Sequence, residues 1–370
     1  VTRISRYLLR ELLVPLGVWV AFMFLLLFVM QFLRGTDVLL GSSVTVMDLG
    51  RLVAYLTPHF LMTALPVAFL LAILLGLGRM GEDRELTALQ ALGIGPMRLL
   101  AAPLGVALAI SLFMLLLTST AQPWGLTGVK LLVSEVIRKN VVGDVKPGVF
   151  YEDLSKLTLY TEQVSTADGK WTNVLLQDER EPSSPMLVLA HRGQVGTSNS
   201  GEVLRFALEN GEVHRSGRES KDYNVIHFDG AEISVGVGAS MSKRGRFTSS
   251  KEELTPGELL EAAREAEAKG ESSRTILMAL HSRLGGSLAP IAFALLGTPL
   301  AIGRRQAGRA WGYLLTLGGY VFYYLLSRAF EQLGQQGKLP VVVAGQLANV
   351  VFMLVGAVAL YRVSRSGTVR

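Results

Sequence analysis

The sequence predicts a membrane α-helical bundle of six transmembrane helices with an inserted antiparallel β domain. Three observations carry this reading: six long apolar runs, a polar stretch of roughly 150 residues that divides them three and three, and the placement of arginine between the runs. The runs cover about residues 12–33, 52–78, 99–121, 284–303, 310–327 and 339–361, each near the roughly 20 residues that a hydrocarbon core of ~30 Å demands. A backbone inside lipid has no water partner, so each run must close its own hydrogen bonds as a helix. Composition agrees: 50% of residues are hydrophobic and 18% are charged, against about 25% charged in an ordinary soluble domain.

The cations fix an orientation. Arg3, Arg6 and Arg10 precede the first run; Arg79, Arg84 and Arg98 lie between the second and third; Arg304, Arg305 and Arg309 lie between the fourth and fifth; Arg362, Arg365 and Arg370 follow the sixth. All four groups fall on one side, whereas the opposite short loops dilute Arg34, Arg51 and Lys338 with Asp37, Asp48 and Glu331. Positive loops stay in the cytoplasm, so both termini are expected there and the central domain outside. The net charge of +6 is therefore a matter of topology, with no basic stripe for nucleic acid. Residues 1–33 start basic and turn apolar like a signal peptide, but the run is too long and lacks a small-x-small cleavage site. It reads as a retained anchor. Without cysteine, the exported domain must be stable on packing alone.

These features divide the chain into residues 1–125 with the first three membrane helices, residues 126–275 with the outer domain, and residues 276–370 with the last three. Within the outer domain, alternating segments at Gly148 to Tyr160, Trp171 to Gln177, Met186 to Gln194, Val203 to Ala207 and Tyr223 to Phe228 read as strands. Turn signals separate them, among them Ala167-Asp168-Gly169, Asn199-Ser200-Gly201, Asn210-Gly211 and Asp229-Gly230, of which Asn-Gly is the strongest hairpin cue. The expected form is a sandwich or open β-jellyroll, serving either as a rigid spacer or as an apolar trough that shields acyl chains. Thr255, Pro256 and Glu258 then spell a capping box, opening a charged helix that runs to Ala268. His281 and Arg283 mark the outer end of the fourth run. Arg283 there either snorkels to headgroups or grips an anionic substrate.

Chemistry of the chain's own is disfavoured. Gly76-x-Gly78-x-x-Gly81 spells a dinucleotide fingerprint but ends a membrane helix, outside any βαβ unit. No phosphate-binding loop, zinc-protease motif, nucleophile elbow or metal-spaced His cluster occurs. The expectation is no catalytic residue, no metal, and no cofactor in this chain. The segment at 81–93 is more specific. It is a short helix bracketed by glycines, with Glu82, Asp83 and Glu85 in its first turn and Leu86, Leu89 and Leu92 at helical spacing. Helices that lie on lipid favour Lys and Arg, so an acidic apolar knob suits a basic protein groove better.

Four pieces in order resemble the lipopolysaccharide-export permeases LptF and LptG. They are Arg6-Tyr7-Leu8-Leu9-Arg10-Glu11, the run from Glu85 to Gly93, His281-Ser282-Arg283, and Gly337-Lys338-Leu339-Pro340. The opening is closer to LptF. The resemblance implies a subunit of an ABC exporter in the bacterial inner membrane that takes lipopolysaccharide from that membrane to a periplasmic bridge. It also implies a homologous permease partner, a cytoplasmic LptB dimer that binds ATP and magnesium, and an LptC-like periplasmic jellyroll. By position, Glu85 falls on the family's coupling-helix glutamate, with Glu82, Leu86 and Leu89 beside it. Arg34 lies where family members aim cations at lipopolysaccharide phosphates. Phe32 stands where a second cation is expected, so the phosphate grip is either weaker or supplied by Arg328. Two other readings fit the layout: a permease of another ABC exporter whose outer domain transmits force, and a membrane receptor or scaffold.

Overall fold

The computed structural model describes residues 2–39, 45–143, 147–154, 157–165, 170–179, 185–197, 203–216, 223–236, 251–302 and 309–365. In chain order it forms α1 (Thr2–Leu39), α2 (Val46–Glu82), α3 (Glu85–Ala91) and α4 (Pro96–Leu116), then a π turn (Leu117–Ala121) and α5 (Gln122–Gly143). Six strands follow: β1 (Phe150–Leu154), β2 (Leu157–Val164), β3 (Trp171–Asp178), β4 (Met186–Thr197), β5 (Val203–Ser216) and β6 (Tyr223–Gly236). The chain closes with α6 (Pro256–Ala268), α7 (Arg274–Ile302), α8 (Arg309–Gln335) and α9 (Val341–Arg365). It is a membrane helical bundle with an inserted β domain.

Among the described residues five helical stretches are long and apolar enough to cross a membrane: Arg3–Gln31, Val46–Glu82, Pro96–Val133, Arg274–Ile302 and Val341–Arg365. The fifth apolar run of the sequence is α8, whose 27 residues suffice in length. Its tyrosines at 313, 320, 323 and 324 lower its hydropathy, although each ring presents an apolar body and a single polar tip.

Two compact units emerge, one made of residues 1–30, 56–125 and 251–370, the other of residues 31–55 and 126–250. α6, grouped with the outer domain by sequence, falls in the first unit with the helices.

In the helical unit the closest packing is between α7 and α9. A Cβ on Gly345 would come within 2.8 Å of the His281 backbone oxygen, and one on Gly356 within 2.6 Å of the Leu295 backbone; Gly285 sits against Gly345 in return. Small residues of this kind let two backbones touch, which is how helices associate in lipid. Asn349 lies in the same seam, 2% exposed. Its Nδ2 donates to the Gly285 carbonyl at 2.8 Å, and its Oδ1 accepts from the Tyr323 hydroxyl at 2.9 Å. One side chain of α9 thus ties α7 and α8. α2 packs the other side of α7, with Leu70 and Ile73 seated against Gly297. Before Pro123, which has no N–H to give, the helix widens into the π turn. There the Ser119 and Thr120 hydroxyls both donate to the Leu116 carbonyl at 3.0 Å.

The β unit is one six-stranded antiparallel sheet in the order β1 to β6. All the described strand pairs join consecutive strands, so the antiparallel domain is a meander without a Greek-key crossing among the described residues. The sheet is creased. Along a flat strand core-facing residues recur every second position, yet here each of five strands shows one step of three: Thr161 to Val164, Trp171 to Val174, Ala190 to Gly193, Leu208 to Gly211 and Phe228 to Ala231. These steps align across the ladders, and Glu162, Asn173, His191, Asn210 and Asp229 form an exposed transverse row between them. Asn173 and Asn210 take φ of 52° at this row, a left-handed conformation that Asn tolerates. The Asn173 amide donates to Glu162 Oε2 at 2.6 Å. Folding along the crease turns both halves inward on Trp171, Leu159, Leu176, Val188, Phe206 and Leu208. A turn reading of Asn210-Gly211 and Asp229-Gly230 is therefore corrected: both lie inside strands, β5 and β6, and in β5 the left-handed Asn210 bends the strand without ending it. The Ala167-Asp168-Gly169 and Asn199-Ser200-Gly201 signals lie outside the described residues.

Two outcomes are expected. Asn349→Leu removes both bonds of the seam and should cost about 2 kcal/mol in a detergent unfolding titration; adding Tyr323→Phe should then cost little more. Asn210→Val forces a β-branched residue into φ > 0 and should lower stability by about 1–2 kcal/mol, read from the thermal loss of the Trp171 near-UV signal, whereas Asn210→Gly should be close to neutral.

Candidate functional site

Two places in the helical unit hold the sequence-predicted residues. The first is α3. Arg84 precedes it with φ of 58° and Gly93 follows it with φ of 81°, so the short helix is set off from α2 and α4 by two left-handed residues. Leu86 is buried in the main core, and Leu89 packs against it. Leu92 is exposed. Glu82 ends α2 and is exposed; Glu85 opens α3. The Tyr7 hydroxyl of α1 donates to Glu85 Oε2 at 2.7 Å. One turn further along α1, Glu11 pairs with Arg79 of α2 at 2.7 Å. One turn beyond Arg79 along α2, Gly76 admits the α1 backbone, since a Cβ there would lie 2.7 Å from the Glu11 carbonyl oxygen. Apolar side chains thus pin α3 from beneath while its first carboxylate is held by α1. Sequence reasoning singled out Glu85 but not its partner Tyr7, because nothing in a one-dimensional pattern couples positions 78 apart.

The second place is the entry to α7. Arg283 donates through Nη1 to the Leu254 carbonyl at 2.8 Å and through Nη2 to the Lys251 carbonyl. It thereby clamps the segment that leads into α6, whose first turn is closed by Thr255. The Thr255 N–H donates to Glu258 Oε2 at 2.7 Å, and the Glu258 N–H donates to Thr255 Oγ1 at 3.3 Å. The bond from the Thr255 backbone holds the Glu258 carboxyl below its usual range. An anion approaching Arg283 meets a guanidinium whose two terminal nitrogens already serve backbone carbonyls. Arg328 on α8 is more open. It pairs with Glu331 at 2.7 Å, and its guanidinium carbon lies 5.1 Å from the centre of the Tyr324 ring. An incoming phosphate would share it with Glu331. Phe32 and Arg34 belong to α1, and their side chains lie outside the described residues. Among the described residues no cluster of His, Asp or Glu could hold a metal ion.

Removing the Tyr7 bond tests the first arrangement by itself. Tyr7→Phe should leave the protein folded and raise amide exchange across α3 by about threefold or more, as expected when one hydrogen bond to a charged acceptor is lost; unchanged exchange would mean that Leu86 and Leu89 hold α3 alone.

The uncharacterized protein RP871 of Rickettsia prowazekii is 22% identical to this chain over 256 residues, 66% of this chain and 69% of its own length. The model of the lipopolysaccharide export system permease family LptF/LptG matches residues 6–362. That match takes in α3, the creased sheet and all the long helices, and the chain belongs to the LptF/LptG family of lipopolysaccharide export permeases.

Proposed function

We propose that this chain is the permease subunit of an ABC exporter that extracts lipopolysaccharide from the bacterial inner membrane and passes it to a periplasmic bridge. In this reading six helices span the membrane, α8 included, both termini are cytoplasmic and the β domain is periplasmic. The chain pairs with a homologous permease, takes its energy from ATP hydrolysed by an LptB dimer, and hands lipopolysaccharide to an LptC-like jellyroll. The single observation that carries the reading, beyond family membership, is α3: a short helix fixed by its leucines, with Glu85 at its start and an acidic rim that suits a basic groove.

The charges then divide the labour. Glu85 and Glu82 face the ATPase with Leu86 and Leu89 as their footing; Arg34 and Arg328 meet lipid A phosphates near Phe32, where arginine offers two parallel hydrogen bonds. Arg283 contributes by holding the entry to α7 in place. Within the family, the opening Arg6-Tyr7-Leu8-Leu9-Arg10-Glu11 favours the LptF form over LptG.

Glu85→Lys should place like charges together at a partly desolvated contact, costing ~2 to 5 kcal/mol, and abolish co-purification with the ATPase. Normal pull-down and normal export would place α3 on lipid. Arg34→Glu and Arg328→Glu should each lower crosslinking of lipopolysaccharide to a photo-reactive residue at position 32 while basal ATP hydrolysis continues; wild-type export by both reversals would relocate the gate. A cysteine at Ser165 should react with an impermeant thiol reagent in spheroplasts, and protection until lysis would invert the topology.

A further inference from the structure

α7 and α9 run in the same direction, because their contacts advance together from Gly285 against Gly345 to Leu295 against Gly356. Around and beyond Gly356 the two helices border a groove of about 540 Å³, lined by Pro299 and Leu300 on α7 and by Leu354, Val358 and Arg362 on α9. Every lining residue except Arg362 is apolar. From Leu354 to Arg362 the lining runs along two turns of α9, about 12 Å, and among the described residues its one charge lies at the end nearest the helix terminus. Leu354 and Val358 are 61% and 53% exposed. Neither α7 nor α9 contains an Asp or Glu. Arg362 is exposed and has no hydrogen-bond or ion-pair partner among the described residues, whereas Arg365 rests over the Tyr361 ring at 4.5 Å.

The geometry points to a binding site for one acidic phospholipid, in the leaflet at the C-terminal ends of α7 and α9. An acyl chain fills the apolar groove, and the phosphate at its head is held by Arg362. Zwitterionic lipid can enter the same groove, but its own cation cancels the charge that Arg362 would meet; a basic pocket between membrane helices selects acidic headgroups. The site is independent of what the permease exports.

The test uses the full chain in nanodiscs of phosphatidylglycerol and phosphatidylcholine in equal amounts, extracted into mild detergent, with retained lipid counted by native mass spectrometry. Phosphatidylglycerol should be retained about fivefold over phosphatidylcholine, the effect of one cation near an acidic headgroup. Arg362→Gln should bring the ratio close to one, and Arg365→Gln should leave it unchanged. Val358→Trp, which fills the groove, should lower retention of both lipids. Equal retention by the unaltered chain, an unchanged ratio in Arg362→Gln, or full retention in Val358→Trp would each overturn the site.

Discussion

Lipid tails are as apolar as leucine, so the hydrophobic effect that closes a soluble core does not hold membrane helices together. The helical unit depends instead on the backbone contact of α7 with α9 and on the amide of Asn349 within it. Gly285, Gly345 and Gly356 remove the side chains that would hold the two backbones apart. Asn349 then satisfies a carbonyl of α7 and the hydroxyl of Tyr323 on α8, so three helices share one polar knot. An unpaired amide there would be costly. The position of α7 follows from this knot, and two further contacts follow from α7: Gly297 against Leu70 and Ile73 of α2, and Arg283 against the carbonyls that lead into α6.

The β unit obeys the opposite rule, because it closes on a water-excluded core. A single flat sheet buries one face only if something covers it. Here the sheet covers itself. The step of three in each of five strands switches the inward parity along one line, and the exposed polar row from Glu162 to Asp229 lies along it. Register is kept on both sides of that line, so the bend costs no ladder beyond the row itself. Two left-handed asparagines supply the backbone geometry on alternate strands, β3 and β5.

Much of this was legible in the sequence, and the part that was not has physical reasons. Hydropathy marks a helix wherever aliphatic residues dominate, which located the five most apolar spans; the tyrosines of α8 blur the same measure without shortening the helix. Asn-Gly reports only that φ > 0 is tolerated, and at Asn210 that property serves a crease where it could have served a hairpin. Leucine spacing and flanking glycines gave α3 its place. What escaped were contacts between distant positions: Tyr7 with Glu85, Asn349 with Gly285 and Tyr323, Arg283 with Leu254. A lone asparagine in an apolar run carries a signal, since an amide in lipid needs partners, but the run does not say which.

The contact of Tyr7 with Glu85 also bears on how motion would travel under the proposed role. α1 is one helix from Thr2 to Leu39, and Tyr7 and Glu11 both lie in its first three turns. A displacement of α3 driven by a bound ATPase acts on α1 at Tyr7 and, through Arg79, at Glu11. Both contacts are exposed hydrogen bonds, individually worth little, whereas the close approach at Gly76 is steric and cannot be stretched. The steric contact therefore sets where α1 can go, and the polar pair sets how α3 is turned against it. Pro15, four residues past Glu11, is the one place in α1 where a missing backbone bond allows the rod to bend. Under that role a push on α3 tilts the segment of α1 that carries Tyr7 and Glu11 about Pro15, which makes the proline the hinge of that contact.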